Sequence, residues 1–138
     1  MDMHAPSHPE TFVLELTVRD YECDMAHVVN HAAYLHYLEH ARHELLRTKS
    51  ISFGELAKRG ITLVVTALEV AYKGSLRSGD TFTVRTTLRR KGLIRFRFEQ
   101  TIHRAPDDRL MLSAVVTGTA LNAQGRPEIP PELARALV

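Results

Sequence analysis

The sequence predicts an α+β fold: one five-stranded antiparallel sheet with a single long helix laid across one face. Three observations carry this. Apolar residues alternate with period two before residue 18 and again after residue 62. Between these stretches, residues 31–48 switch to a helical period. Short turn signals, not long crossovers, separate the later extended segments, which favours antiparallel neighbours. A chain of 138 residues is the length of one compact domain.

In the first segment Phe12, Leu14, Leu16 and Val18 alternate with Val13, Glu15, Thr17 and Arg19, so one strand face is buried. Tyr34, Leu38, Ala41 and Leu45 then form one stripe of a helix, with Asn30 as the expected N-cap. Residues 52–59 read as a short second helix, capped by Ser52 and ended by Gly60. Residues 62–72 are extended and rich in Val, Thr and Leu. Phe82, Val84 and Leu88 mark the third strand, Lys91-Gly92 a turn, and Ile94, Phe96, Phe98 and Ile102 the fourth strand. After a turn at residues 105–108, residues 109–122 form a last strand. Both its faces are apolar, which predicts a central place in the sheet. Pro127, Pro130 and Pro131 are expected to end regular structure. One helix cannot cover both faces of such a sheet, and oligomerisation is expected to cover the rest. Residues 1–10 read as a flexible arm and residues 11–138 as the single folded domain.

Composition narrows the function classes. Hydrophobic residues are 44% and charged residues 25%, which excludes disorder and coiled coil. No apolar run is long enough to span a membrane, and the first residues lack the pattern of a secretory signal. The lone cysteine, Cys23, fits a reducing cytoplasm. Net charge is +2, but residues 73–104 hold nine cations and two anions. A basic stretch on a near-neutral chain points to a local anionic partner or to a solvated strand face, and no nucleic-acid-binding motif accompanies it.

The link from first strand to long helix is the chemically informative segment. Asp24 stands seven residues before His31, at the helix start. Free N–H groups at a helix N-terminus favour negative charge and can hold the oxyanion of a tetrahedral acyl intermediate. A nearby carboxylate can serve as nucleophile or general base. By itself the spacing equally suits a capping acid.

The wording of this segment carries more. Asp24-Met-Ala-His-Val-Val-Asn-His31, followed by Tyr34, Glu39 and Ala41-Arg42, resembles the signature of hotdog-fold thioesterases of the 4-hydroxybenzoyl-CoA thioesterase-like superfamily. Arg19-Asp-Tyr-Glu22, Arg42-His-Glu44 and Leu76-Arg-Ser-Gly-Asp80 are similar to the plant acyl-lipid thioesterases. The resemblance runs from about Val18 to Leu133. It implies a hotdog fold, in which the sheet wraps around the long helix, and a dimer of dimers with sites at subunit interfaces. It implies hydrolysis of an acyl-CoA or acyl carrier protein thioester, with Asp24 as nucleophile or base and the His31 N–H in the oxyanion hole. Asn30 and Tyr34 fall in the same motif and are expected to bind substrate. His27 stands where the family pattern has Gly, and is a candidate extra acid or base. Asp20 stands where many bacterial members have Tyr.

Lys73, Arg77, Arg89, Arg90 and Lys91 flank the third strand. Of these, Arg77, Arg89, Arg90 and Lys91 are expected to meet the phosphates of CoA or an acidic carrier. His36, His40 and His43 share a helix face, yet H-E-x-x-H is absent, so neither a metal nor another cofactor is expected. Cys23 could pair with His27 or His31 as a nucleophile, but strand alternation turns it away from Asp24. The alternative to an enzyme is a non-catalytic hotdog module that binds acyl thioesters.

Overall fold

The computed structural model describes residues 10–137. The arm expected at residues 1–10 lies outside them apart from Glu10, which is exposed and irregular. Strand β1 (Phe12–Thr17) leads through a 3-10 turn at Asp20–Glu22 into helix α1 (His31–Thr48). Helix α2 (Phe53–Lys58), then strands β2 (Thr62–Tyr72), β3 (Thr81–Lys91), β4 (Arg95–Arg104) and β5 (Arg109–Leu121), follow, and helix α3 (Pro131–Ala136) closes the order. The five strands form one sheet in the order β1-β3-β4-β5-β2, antiparallel throughout. This is the predicted α+β arrangement of a helix on an antiparallel sheet.

Local chemistry explains the boundaries. Asn30 caps α1, its side chain accepting the Ala32 N–H at 2.8 Å. Ser52 caps α2 in the same way through the Glu55 N–H. The apolar stripe of α1 is buried as expected, and Tyr37 and Leu46 widen it. Its first half packs with Phe82, Val84, Ile102 and Leu112. Its second half packs with Leu88, Phe96, Phe98, Val116 and Leu133.

One expectation needs correction and another holds. The prolines near the C-terminus do not end regular structure, because Pro131 opens α3. The first helical residue needs no N–H partner, so proline fits there, and Leu133 is then buried. Strand β5 is paired on both sides, as expected of a strand inside the sheet.

The edge strand β2 has an uneven inner face. Leu68 and Val70 pair with Val116 and Ala114, and Tyr72 with Leu112, so these side chains share the face that α1 occupies. A register shift between Val65 and Ala67 inserts Thr66 as an extra residue and returns Val65 to that face, opposite Gly118. Tyr72 touches the start of helix α1, yet Val65, Leu68 and Tyr72 remain 55%, 44% and 42% exposed. Gly118 is required where it stands. A Cβ there would lie 2.7 Å from the Val64 carbonyl oxygen and 2.8 Å from the Phe96 ring.

Candidate active site

The segment between β1 and α1 folds back on itself. The Asp24 N–H donates to the Val28 carbonyl at 2.9 Å, Cys23 bridges Val29, and the Asn30 N–H donates to the Glu22 carbonyl at 2.9 Å. This short ladder pairs Asp24 with Val28, three residues before the first residue of α1. A second loop supports it. Val28 bridges Arg77, and the Val29 N–H donates to the Leu76 carbonyl. Arg77 is held by Asp80, whose carboxylate accepts the Arg77 N–H at 2.9 Å. Ser78 donates to the Asp20 carboxylate, tying the two loops together.

Asp24 is exposed. Its Oδ1 accepts the Ala26 N–H at 2.8 Å, which makes the turn. Its Oδ2 has no partner among the described residues. Asp24 is therefore a turn residue with one oxygen to spare, and the cap of α1 is Asn30. His31 follows as the first helical residue, and its backbone N–H has no partner among the described residues. Its ring lies 4.8 Å from that of Tyr72, whose hydroxyl donates to the His31 carbonyl at 3.3 Å. The Asp24 carboxylate and the positive end of an 18-residue helix thus lie at the two ends of one short ladder.

His27 has φ of 64°, in the left-handed region that favours glycine. That explains why the similar family pattern has Gly here. The imidazole is exposed at the tip of the turn. Tyr34 is 2% exposed, and its hydroxyl accepts the Leu76 N–H at 2.9 Å. It lies beneath the two loops as a strut, and burial holds its hydroxyl above the ordinary tyrosine pKa. Cys23 packs on the core beside Tyr34.

The basic residues expected to act together are not together within one chain. Arg77 adjoins the Asp24 loop. Arg89, Arg90 and Lys91 sit at the far end of β3, about 30 Å from its start at 3.3 Å per residue. Arg89 donates to Glu99 at 2.6 Å, and Arg90 to the Gly92 carbonyl at 3.3 Å. His36 and His40 are exposed, whereas the His43 ring packs on Phe53. Among the described residues, no three His, Cys, Asp or Glu side chains are placed to hold a metal.

Three further residues shape the site. Glu22 accepts the Arg19 N–H and the Tyr37 hydroxyl, each at 2.8 Å. Tyr72 reaches the helix start from β2. Glu22 lies in a motif that carries the family resemblance, but Tyr37 and Tyr72 make contacts across 15 and 41 residues that leave no local signal.

Comparison with known proteins agrees with this architecture. A 1,4-dihydroxy-2-naphthoyl-CoA thioesterase from Synechocystis shares the fold, with a TM-score of 0.88 at 20% identity over 93% of this chain and 96% of that one. A hypothetical protein from Aquifex aeolicus gives 0.84 at 26% identity over 92% and 99%. In sequence, the chain is 37% identical over 123 residues to the acyl-acyl carrier protein thioesterase ATL2, chloroplastic, of Arabidopsis thaliana, covering 89% of this chain. It is 36% identical to ATL3 of the same plant over 83% of this chain. It spans 65% and 60% of the lengths of these two relatives. No helix among the described residues is long and apolar enough to cross a membrane. The model of the thioesterase-like superfamily matches residues 18–137, and with the hotdog arrangement of sheet and helix this places the chain in that superfamily.

Proposed function

We propose that the chain hydrolyses an acyl thioester, carried by CoA or by an acyl carrier protein, to the free acid and a thiol. The observation that carries this reading is the pairing of Asp24, with Oδ2 unengaged, and the open N–H of His31 at the start of α1. Water supplies the new C–O bond, either activated by Asp24 or added after Asp24 has attacked the carbonyl, and the C–S bond breaks. The oxyanion formed in either route lies against the His31 N–H and the positive helix end. The thiolate leaves with a proton, for which His27 and His31 are the nearby donors. Asn30 holds the helix start, and Tyr34 carries the Leu76–Asp80 loop from below. Arg77, which adjoins the Asp24 loop, is assigned to a phosphate of the carrier. Arg89, Arg90 and Lys91 meet the same substrate only if a second subunit supplies them, as in a dimer of dimers. The names of the plant relatives support the acyl carrier protein as carrier, and their chloroplast location suits, like a single free cysteine, a reducing compartment.

A second reading rests on the Asx turn. If holding Ala26 is the whole role of Asp24, the site binds thioesters without cleaving them. Asp24→Asn separates the two. Asparagine keeps the Oδ1 acceptor and the turn, but is neither nucleophile nor base. Thiol release from an acyl-CoA panel should fall about 10²- to 10⁴-fold, the range for a positioned acid–base group, with the thermal midpoint unchanged. Turnover within a few-fold of wild type in the folded variant would make Asp24 structural.

A further inference from the structure

The hairpin that joins β3 to β4 is exposed throughout residues 90–95, which read Arg-Lys-Gly-Leu-Ile-Arg. Its apex is aliphatic: Leu93 is 87% exposed and Ile94 38%. Its flanks are cationic, and Lys91 stands directly opposite Arg95. Like charges so placed repel. Two positions further from the apex Arg89 faces Arg97, but there Glu99 bonds both guanidinium groups. Among the described residues no carboxylate pairs with Lys91 or Arg95. The apex carbonyls, by contrast, all have donors from the protein itself. The Arg90 guanidinium folds back onto those of Gly92 and Leu93 at 3.3 and 3.5 Å, and the Thr119 hydroxyl donates to that of Ile94. A turn facing water needs no such donors. A turn in an apolar medium does, because an unmet carbonyl is costly there.

We propose that this hairpin docks the protein on an anionic lipid bilayer, with Leu93 and Ile94 entering the acyl boundary and Lys91 and Arg95 held at the headgroup phosphates. Charge complementarity selects the partner. The uncompensated pair of cations calls for external anions, and their long stems let the charged heads stay in the interface while the apex goes deeper. The loop after β5 emerges at the same end of the sheet, since Arg95 pairs with Thr119, and it adds the exposed Arg126. The acids that follow this loop are engaged, Glu128 by Asn122 and Glu132 by Arg59. The apex carries no aromatic side chain of the kind that anchors protein interfaces. A projecting aliphatic turn instead fits between lipid headgroups. The inference stands apart from the thioester reading. Within one chain β3 sets the hairpin about 30 Å from the Leu76–Asp80 loop, at 3.3 Å per residue, so docking and turnover are separable.

The test is flotation of the full chain with vesicles of phosphatidylglycerol and phosphatidylcholine in a one-to-two ratio, against phosphatidylcholine alone. The wild type should float with the first and not with the second, and raising the salt from about 0.05 to about 0.5 M should release it. Leu93→Ser keeps every charge and should weaken partitioning about tenfold, the loss of one partly inserted leucine. Arg95→Gln should weaken it about fivefold. Both positions are exposed, and circular dichroism of both variants should match wild type. The chain has no tryptophan, so Leu93→Trp places a single indole at the apex. Its emission should move to shorter wavelength on anionic vesicles and become shielded from iodide. Absence of wild-type flotation, as when another copy of the chain covers the apex, overturns the proposal. So does flotation that neither Leu93→Ser nor Arg95→Gln weakens, because the contact then lies elsewhere. Flotation weakened by Arg95→Gln alone, with the indole of Leu93→Trp still open to iodide, means a charged surface without insertion and also overturns it. Capture of apo acyl carrier protein that is lost in Leu93→Ser, without flotation, assigns the hairpin to an acidic protein and likewise overturns the proposal. Thiol release measured without vesicles should be equal in Leu93→Ser and wild type. Should neither release thiol, only the hydrolase reading falls, and the flotation result stands.

Discussion

Glu22 is the residue on which the shape of the Asp24 loop most depends. One carboxylate oxygen accepts from the Arg19 N–H before the 3-10 turn and from the Tyr37 hydroxyl on α1, while its carbonyl accepts from Asn30 after the loop. A single residue thus fixes both ends of the segment that carries Asp24 and docks it on the helix. Burial and the bond to Glu22 hold the Tyr37 hydroxyl far above its ordinary pKa, so it remains a donor throughout the working range. Tyr37→Phe removes that donor and keeps the ring, which packs 4.7 Å from Phe82. A hydrogen bond to a charged acceptor contributes about 1.5–3 kcal/mol. If most of that energy aligns Asp24, kcat should fall about 10- to 100-fold with KM little changed. Steady-state kinetics check this, and an unchanged kcat would show that the loop is held without Tyr37. The contrast with Asp24, His27 and His31 shows what a sequence displays. Those three lie within eight residues of one another, so their spacing is visible in the chain. Glu22 and Tyr37 act across a fold that brings distant residues together, and even the positive φ of His27 is hidden until the turn is built.

Helix α1 is pinned to the sheet by more than apolar contact. Gln100, on β4 and 1% exposed, donates through Nε2 to the Leu38 carbonyl and the Thr86 hydroxyl, each at 3.0 Å, and accepts from Arg42 at 3.1 Å. Its amide is satisfied on both atoms inside the core, so it fixes the helix in register with β3 and β4. Gln100→Leu is close in volume but strands the Thr86 hydroxyl, which is fully buried. The expected cost is about 1–3 kcal/mol, read as a lower urea midpoint at unchanged slope. Adding Thr86→Val removes the stranded group and should restore part of the loss; no recovery would mean that the Arg42 contact dominates. Periodicity makes the helix, its caps and the strands legible, because α1 and β3 bury one face each and their sequences repeat accordingly. It reads β5 less well. That strand packs against α1 on one face, and Thr117 and Thr119 are buried on the other, so both faces look alike, which marks a strand inside the sheet but does not name its neighbours. Helix α3 is hidden for another reason: proline is a stop signal inside a helix but an acceptable first residue, and the two uses share one letter.

At the scale of the molecule, charge and edges point the same way. The nine cations of residues 73–104 do not form one patch. Arg85 pairs with Asp108, and Arg89 and Arg97 with Glu99, on the sheet face away from α1. That face retains buried atoms without partners among the described residues, the Arg97 Nε and Thr83 Oγ1 among them, as a surface does when its complement is missing. Among the described residues the sheet also ends in two free edges, β1 and β2. Strand β2 has eleven residues, a single charge at Glu69, no proline and one bulge, so it carries little of what normally discourages edge pairing. Two copies meeting at β2 through a two-fold axis would run antiparallel and extend the sheet. The edge and the inner face of β2 are different surfaces, so such pairing uses the free ladder and leaves the face beside α1 as it is. A second contact, sheet back to sheet back, would satisfy the stranded polar atoms and complete a dimer of dimers. Sedimentation velocity at micromolar protein should therefore show a mass of two or four times 15.6 kDa. Two prolines in the middle of β2, at Leu68 and Val70, remove ladder donors and should shift the protein toward smaller species. A wild-type chain that sediments at 15.6 kDa would overturn this assembly, and with it any role for Arg89, Arg90 and Lys91 at the Asp24 site, since one chain keeps them at the opposite end of β3.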